Sequence, residues 1–94
     1  MIRYYVQYRV FHFDGHQVQS VPGLPAFRSQ YYKSESEARK CMYESISLLE
    51  VNGFDIISPE GALSPKLMCP DGLHVIQLEV VRCLEIEGVM LRKS

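Results

Sequence analysis

The sequence predicts an α+β domain, an antiparallel sheet of four to five strands with one amphipathic helix across one face, in β-β-β-α-β order. Three observations carry this. Apolar residues alternate from Ile2 to Val10, an S-x-x-E helix start stands at Ser34, and β-branched residues cluster from Leu73 to Val81. Ninety-four residues form a single domain over 1–94, since a chain of this length supports one core.

Each element has a local reason. Ile2, Tyr4, Val6, Tyr8 and Val10 fall on one side of an extended chain, and Arg3, Tyr5, Gln7 and Arg9 on the other, the mark of a half-buried strand. Asp14-Gly15 supplies turn residues for a hairpin, with a return strand expected from His16 to Val21. Pro22 and Pro25 then stop regular pairing, because neither offers an N–H to a ladder, and a third strand is expected from Ala26 to Tyr32.

Ser34 and Glu37 form a capping box that starts the helix. Ala38, Cys41, Met42, Ser45, Ile46 and Leu49 recur at three- and four-residue spacing and make its packing face. Asn52-Gly53 is a left-handed stop. Phe54–Ile57 reads as a short extended exit. Residues 58–72, with three prolines and Asp71-Gly72, read mainly as loop, and Ser64-Pro65 is placed to cap one helical turn through Leu67. The strand from Leu73 to Val81 alternates weakly, which suggests burial on both faces or a bulge. Glu87-Gly88 is expected to turn a last hairpin between Cys83–Ile86 and Val89–Leu91, with a terminal helix as the alternative.

Composition narrows the function classes. The 47% hydrophobic and 22% charged fractions suit a folded module, and a net charge of −1 provides no global field toward nucleic acid or an anionic membrane. No apolar run approaches the ~20 residues of a membrane span. Cys41, Cys69 and Cys83 are odd in number and widely spaced, with no signal peptide before them. This points to small core residues in a reducing cytoplasm.

The long first strand, the Asp14-Gly15 hairpin, Val21-Pro22-Gly23-Leu24-Pro25, a further strand and Ser34-x-x-Glu37-Ala38 together resemble the HicB-like antitoxins over residues 2–53. The resemblance implies a partial ribonuclease-H-like core with the helix on one sheet face. It also implies neutralisation of a small ribonuclease toxin by direct contact. Many members carry a DNA-binding module, but no segment after Leu73 reads as ribbon-helix-helix or helix-turn-helix.

No catalytic motif is present, so the chain is expected not to be an enzyme. Nucleophilic catalysis needs a base beside Cys or Ser, and no local pattern selects one. His12, Asp14 and His16 flank one turn, but no four-ligand spacing accompanies them, so turn histidines without metal or any other cofactor are expected. Arg3, Tyr5 and Arg9 on one sheet face, with Arg28 and Tyr32 on the third strand, and Tyr43 on the helix's polar face, are candidate partner-binding residues. Tyr and Arg are enriched at protein interfaces. The expected partner is a nuclease or a nucleic-acid-targeting complex bound by occlusion, with homodimerisation through an open face or edge. A phage inhibitor of a host defence complex, of the anti-CRISPR type, and a direct RNA-binding sheet are the alternatives.

Overall fold

Alternating side chains commit the first strand to two different environments, and its long antiparallel partner near the C-terminus makes the same choice. The computed structural model describes residues 1–20, 23 and 26–92. In chain order the elements are β1 (Ile2–Phe13), β2 (Val18–Gln19), β3 (Ala26–Arg28), α1 (Glu35–Val51), β4 (Asp55–Ile56), β5 (Lys66–Met68), β6 (His74–Ile86) and β7 (Val89–Arg92). The sheet runs β2-β1-β6-β5-β4, with β3 also alongside β1 and β7 also alongside β6. Every pairing is antiparallel.

The spine is β1 against β6, in unbroken register from Ile2↔Leu84 to His12↔His74. Constant register means that parity in sequence is parity in space. Even-numbered residues of both strands face α1. Val6 and Leu78 join Leu67 of β5 and Ala38, Met42 and Ile46 of α1 in the buried core, with Tyr4, Tyr8, Ile76 and Val80 packed around it. The Tyr8 hydroxyl meets Ser45 Oγ at 2.9 Å, so the one serine on the packing face of α1 is satisfied by the sheet. β6 is also buried on its second face, at Val75, Val81 and Cys83, as its weak alternation suggested. No bulge interrupts it.

α1 begins as its cap requires. Ser34 Oγ accepts from the Glu37 amide at 3.2 Å, while its own proton goes to Glu37 Oε1 at 3.1 Å. The carboxylate thus engages the hydroxyl of the cap residue rather than its amide. At the other end the Phe54 amide donates to Leu49 O and the Gly53 amide to Glu50 O, around Gly53 at φ 89°. This is a Schellman stop, which needs a left-handed residue at that position. No helix among the described residues is long and apolar enough to cross a membrane.

Several expectations are corrected. The first hairpin holds, but its return strand is only Val18–Gln19, because Asp14 Oδ1 accepts from the His16 and Gln17 amides and keeps those residues in the turn. The segment Val21, Pro22, Leu24 and Pro25 lies outside the described residues. Residues 58–72 are not only loop: Lys66–Met68 form β5, and Leu67 is fully buried. The helical turn expected at Ser64-Pro65 is therefore absent. Pro65 instead precedes β5 and offers its carbonyl to the Leu78 amide at 3.0 Å, a role that needs no N–H of its own. The last hairpin forms as a β6–β7 pair, with Glu87 at φ 50° and Gly88 at φ 80° in its turn.

Candidate functional site

Among the described residues no helix is laid over the face of the sheet opposite α1. By register it carries Arg3, Tyr5, Gln7 and Arg9 of β1, Gln77, Glu79, Val81, Cys83 and Glu85 of β6, and Lys66 of β5. Arg28 of β3 stands opposite Gln7, and Arg92 of β7 opposite Cys83, so both share this face. Charge is thereby segregated. Arg3, Arg9, Arg28, Lys66 and Arg92 make five of the chain's ten basic residues, against Asp55, Glu79 and Glu85 among its eleven acidic ones. A chain that is slightly acidic overall presents a basic face.

The polar groups on this face are tied together. Arg3 Nη2 lies 3.6 Å from Glu85 Oε1, and Arg92 Nη2 lies 3.9 Å from Glu79 Oε1. The Gln7 amide, oriented by its neighbours, donates to Glu79 Oε1 at 3.1 Å and accepts from Arg9 Nε at 3.2 Å. Arg92 reaches from opposite Cys83 back to Glu79, so its stem spans Val81, which lies between them on the same face. Long polar side chains thus shield an apolar strip with their methylenes. Burial raises the Cys83 thiol and holds it protonated, against the opposing charges of Arg28 and Arg3. Such a thiol is a packing group rather than a nucleophile.

An aromatic cluster completes the face. The Tyr5 and Tyr31 rings meet edge to face at 5.6 Å and 84°, and the Arg28 guanidinium sits 4.4 Å over the Tyr31 ring. Burial raises the Tyr5 phenol, and the Arg92 charge opposes that shift.

Tyr31 reaches this face because of a bulge. β3 pairs Arg28 with Gln7, yet Tyr32 bridges Tyr4, so the later strand contains one more residue than β1 between the two contacts. Ser29 occupies the irregularity: its hydroxyl accepts from the Val6 amide at 2.8 Å and donates to Gln30 O at 2.8 Å, while its own amide donates to Val6 O. One inserted residue exchanges the two faces. The expected third strand to Tyr32 therefore ends at Arg28, and Tyr32 turns toward α1. There the neighbouring Cys41 thiol and then burial raise its phenol above the ordinary value.

Of the six residues expected to bind a partner, Arg3, Tyr5, Arg9 and Arg28 stand together. Tyr32 belongs to the helix side, and Tyr43 is exposed on the outer surface of α1 beside Arg39, Lys40 and Ser47, across the full thickness of the fold. Tyr31, Lys66 and Arg92 were missed. Arg92 follows once the Glu87-Gly88 hairpin is granted and its register counted back to Cys83. Tyr31 had no such signal, because nothing local at Ser29-Gln30 marks a bulge.

The histidines are distributed differently from the turn cluster considered in sequence. His12 faces His74 across the strands, with ring centroids 5.9 Å apart, while the His16 amide is bound into the turn by Asp14. His74 Nδ1 is 2.7 Å from Asp71 Oδ2. Among the described residues no group of three or more His, Cys, Asp or Glu side chains is placed to hold a metal. The sheet face that carries Arg3, Tyr5, Arg9, Arg28, Tyr31, Lys66 and Arg92 is the candidate site, and its cationic and aromatic side chains are of the kind that complement anionic groups. No protein-family model, curated protein or solved structure matches the chain.

Proposed function

We propose that this protein is a non-enzymatic inhibitor that binds another protein through its open sheet face. The HicB-like resemblance of residues 2–53 makes a ribonuclease toxin or related nucleic-acid-processing protein the target. One observation carries the reading: five basic side chains and the Tyr5–Tyr31–Arg28 stack lie on the one sheet face opposite α1, in a chain whose net charge is −1. Such a face selects an acidic surface. Carboxylates that hold the catalytic metal ions of a nuclease form such a surface, and covering them would stop turnover.

Geometry favours a protein over RNA. Stacking a base requires a free aromatic face, and Tyr31 already carries Arg28 on one side and the Tyr5 ring against it. The arginine and tyrosine arrangement matches what protein interfaces use at their centres.

The test compares the wild-type chain with Arg9→Glu/Arg28→Glu in three measurements: capture of partners from the native host, inhibition of the captured partner's activity, and binding of a single-stranded RNA. The expected result is a stoichiometric protein partner inhibited by the wild type and released by the variant. Tight RNA binding with a steep salt dependence would transfer the face to nucleic acid. A partner inhibited equally by the variant would place the site elsewhere.

A further inference from the structure

We propose that the outer edge of β7 is a homodimerisation site, at which two copies pair β7 antiparallel, Met90 opposite Met90, and continue one sheet through both chains. The surface concerned is the edge and the helix-side face at the end of the sheet. The inference is therefore independent of the open-face reading.

Backbone alternation shows which groups are free. The Glu85 amide donates to Met1 O at 2.7 Å and the Met1 amine donates to Glu85 O at 3.0 Å, so Glu85 spends its backbone groups on the β1 side. Leu84 and Ile86 must then direct theirs toward β7, at their register partners Leu91 and Val89. By the same alternation Met90 and Arg92 turn their N–H and C=O groups outward from the sheet. Nothing in Val89-Met90-Leu91 blunts this edge: it carries no proline, no bulge and no charged residue directed inward. Among the described residues the other strands that end the sheet laterally are shorter, with two residues in β2, three in β3 and two in β4.

Side chains select a second copy as the occupant. Ile2, Leu84 and Leu91 stand in one cross-strand row, and Ile86 and Val89 in the next, all on the helix side of the sheet but beyond the core under α1. They remain 37%, 37%, 49%, 48% and 58% exposed, in that order. Their exposed surface is on the order of 400 Å² per chain, the size of patch that marks an interaction site. It is about half of what a standard stable interface buries on each partner, which points to a micromolar dimer once the edge hydrogen bonds are added.

The Met90–Met90 register is self-complementary, as a two-fold interface requires. It sets Leu91 of each chain opposite Val89 of the other. The row Ile2-Leu84-Leu91 then runs on into Val89 and Ile86 of the second copy, twice over. Arg92 falls opposite Gly88, so no like charges meet, and the two Met90 residues exchange both backbone hydrogen bonds.

The experiment is sedimentation equilibrium on the full chain from about 1 to roughly 200 µM, a range that brackets a micromolar Kd. Concentration-dependent dimerisation is expected. Met90→Pro removes an outward N–H that the hairpin does not use and should abolish the dimer. Val89→Glu and Leu91→Lys should each weaken it about tenfold or more, while the double variant recovers part of the loss, because each Glu then faces a Lys across the interface. Circular dichroism of each variant confirms that the monomer remains folded. A wild-type chain that stays monomeric throughout overturns the proposal, as does a dimer indifferent to Met90→Pro and to both charged variants.

Discussion

Leu67 is the sharpest test of the fold, because it is fully buried in a stretch whose prolines and glycines read as loop. Its side chain shares the core with Val6, Ala38, Met42, Ile46 and Leu78. Truncation to alanine removes the apolar contacts and leaves a cavity that a sheet and a helix, both anchored by other residues, can only partly close. Leu→Ala changes at such sites cost about 2–5 kcal/mol, and a central value of about 3 kcal/mol fits a site walled on both sides. The measurement is equilibrium urea unfolding. With an m-value of about 1.5 kcal/mol per molar for a domain this small, the midpoint should fall by roughly 2 M. Leu63→Ala is the control: the same chemistry at a side chain 72% exposed in the same segment should change stability by no more than about 0.5 kcal/mol. Equal, small effects of the two substitutions would refute the placement of β5 in the core.

Two further outcomes follow from local geometry. Gly53→Ala should cost about 1–2 kcal/mol in thermal unfolding, because Gly53 sits at φ 89°. The cost is one of backbone conformation, since an added Cβ would meet Pro70 only at an ordinary 3.6 Å. Acid should destabilise the protein through Asp71 and Asp14. The hydrogen bond from the His74 ring and then the Leu73 amide lower the Asp71 carboxyl, and the Gln17 and His16 amides lower that of Asp14. A lowered folded-state pKa contributes stability that is complete above the ordinary value of 3.8 and vanishes as pH falls through the folded value. Stability followed by urea unfolding should therefore decline as pH drops below 3.8, and Asp14→Ala/Asp71→Ala should flatten that decline.

Elements with a local cause were legible in sequence. The alternation of β1, the Ser34 cap, the spacing of Ala38, Met42 and Ile46, the Gly53 stop and the Glu87-Gly88 turn each act within a few residues, where sterics and hydrogen bonding dominate. All of them appear in the structure. The segregation of Arg3, Tyr5 and Arg9 from the core also followed, since a strand with one buried face must send alternate residues to the other.

Residues whose place depends on a distant strand were a different matter. Lys66–Met68 is too short to show a period, and it pairs only because β6 offers an unpaired edge beside a core that needs Leu67. Tyr31 and Tyr32 are neighbours whose faces were exchanged by a one-residue bulge at Ser29, where both the hydroxyl and the amide are claimed by Val6, 23 residues earlier. Arg92 joined the basic face only through the register of β7 on β6. Amphipathic pattern and turn chemistry are short-range properties, and they determined the course of β1, α1 and the last hairpin and which side of β1 and α1 would be buried. Register and bulges arise from long-range pairing, so the membership of the basic face was settled only when the strands came together.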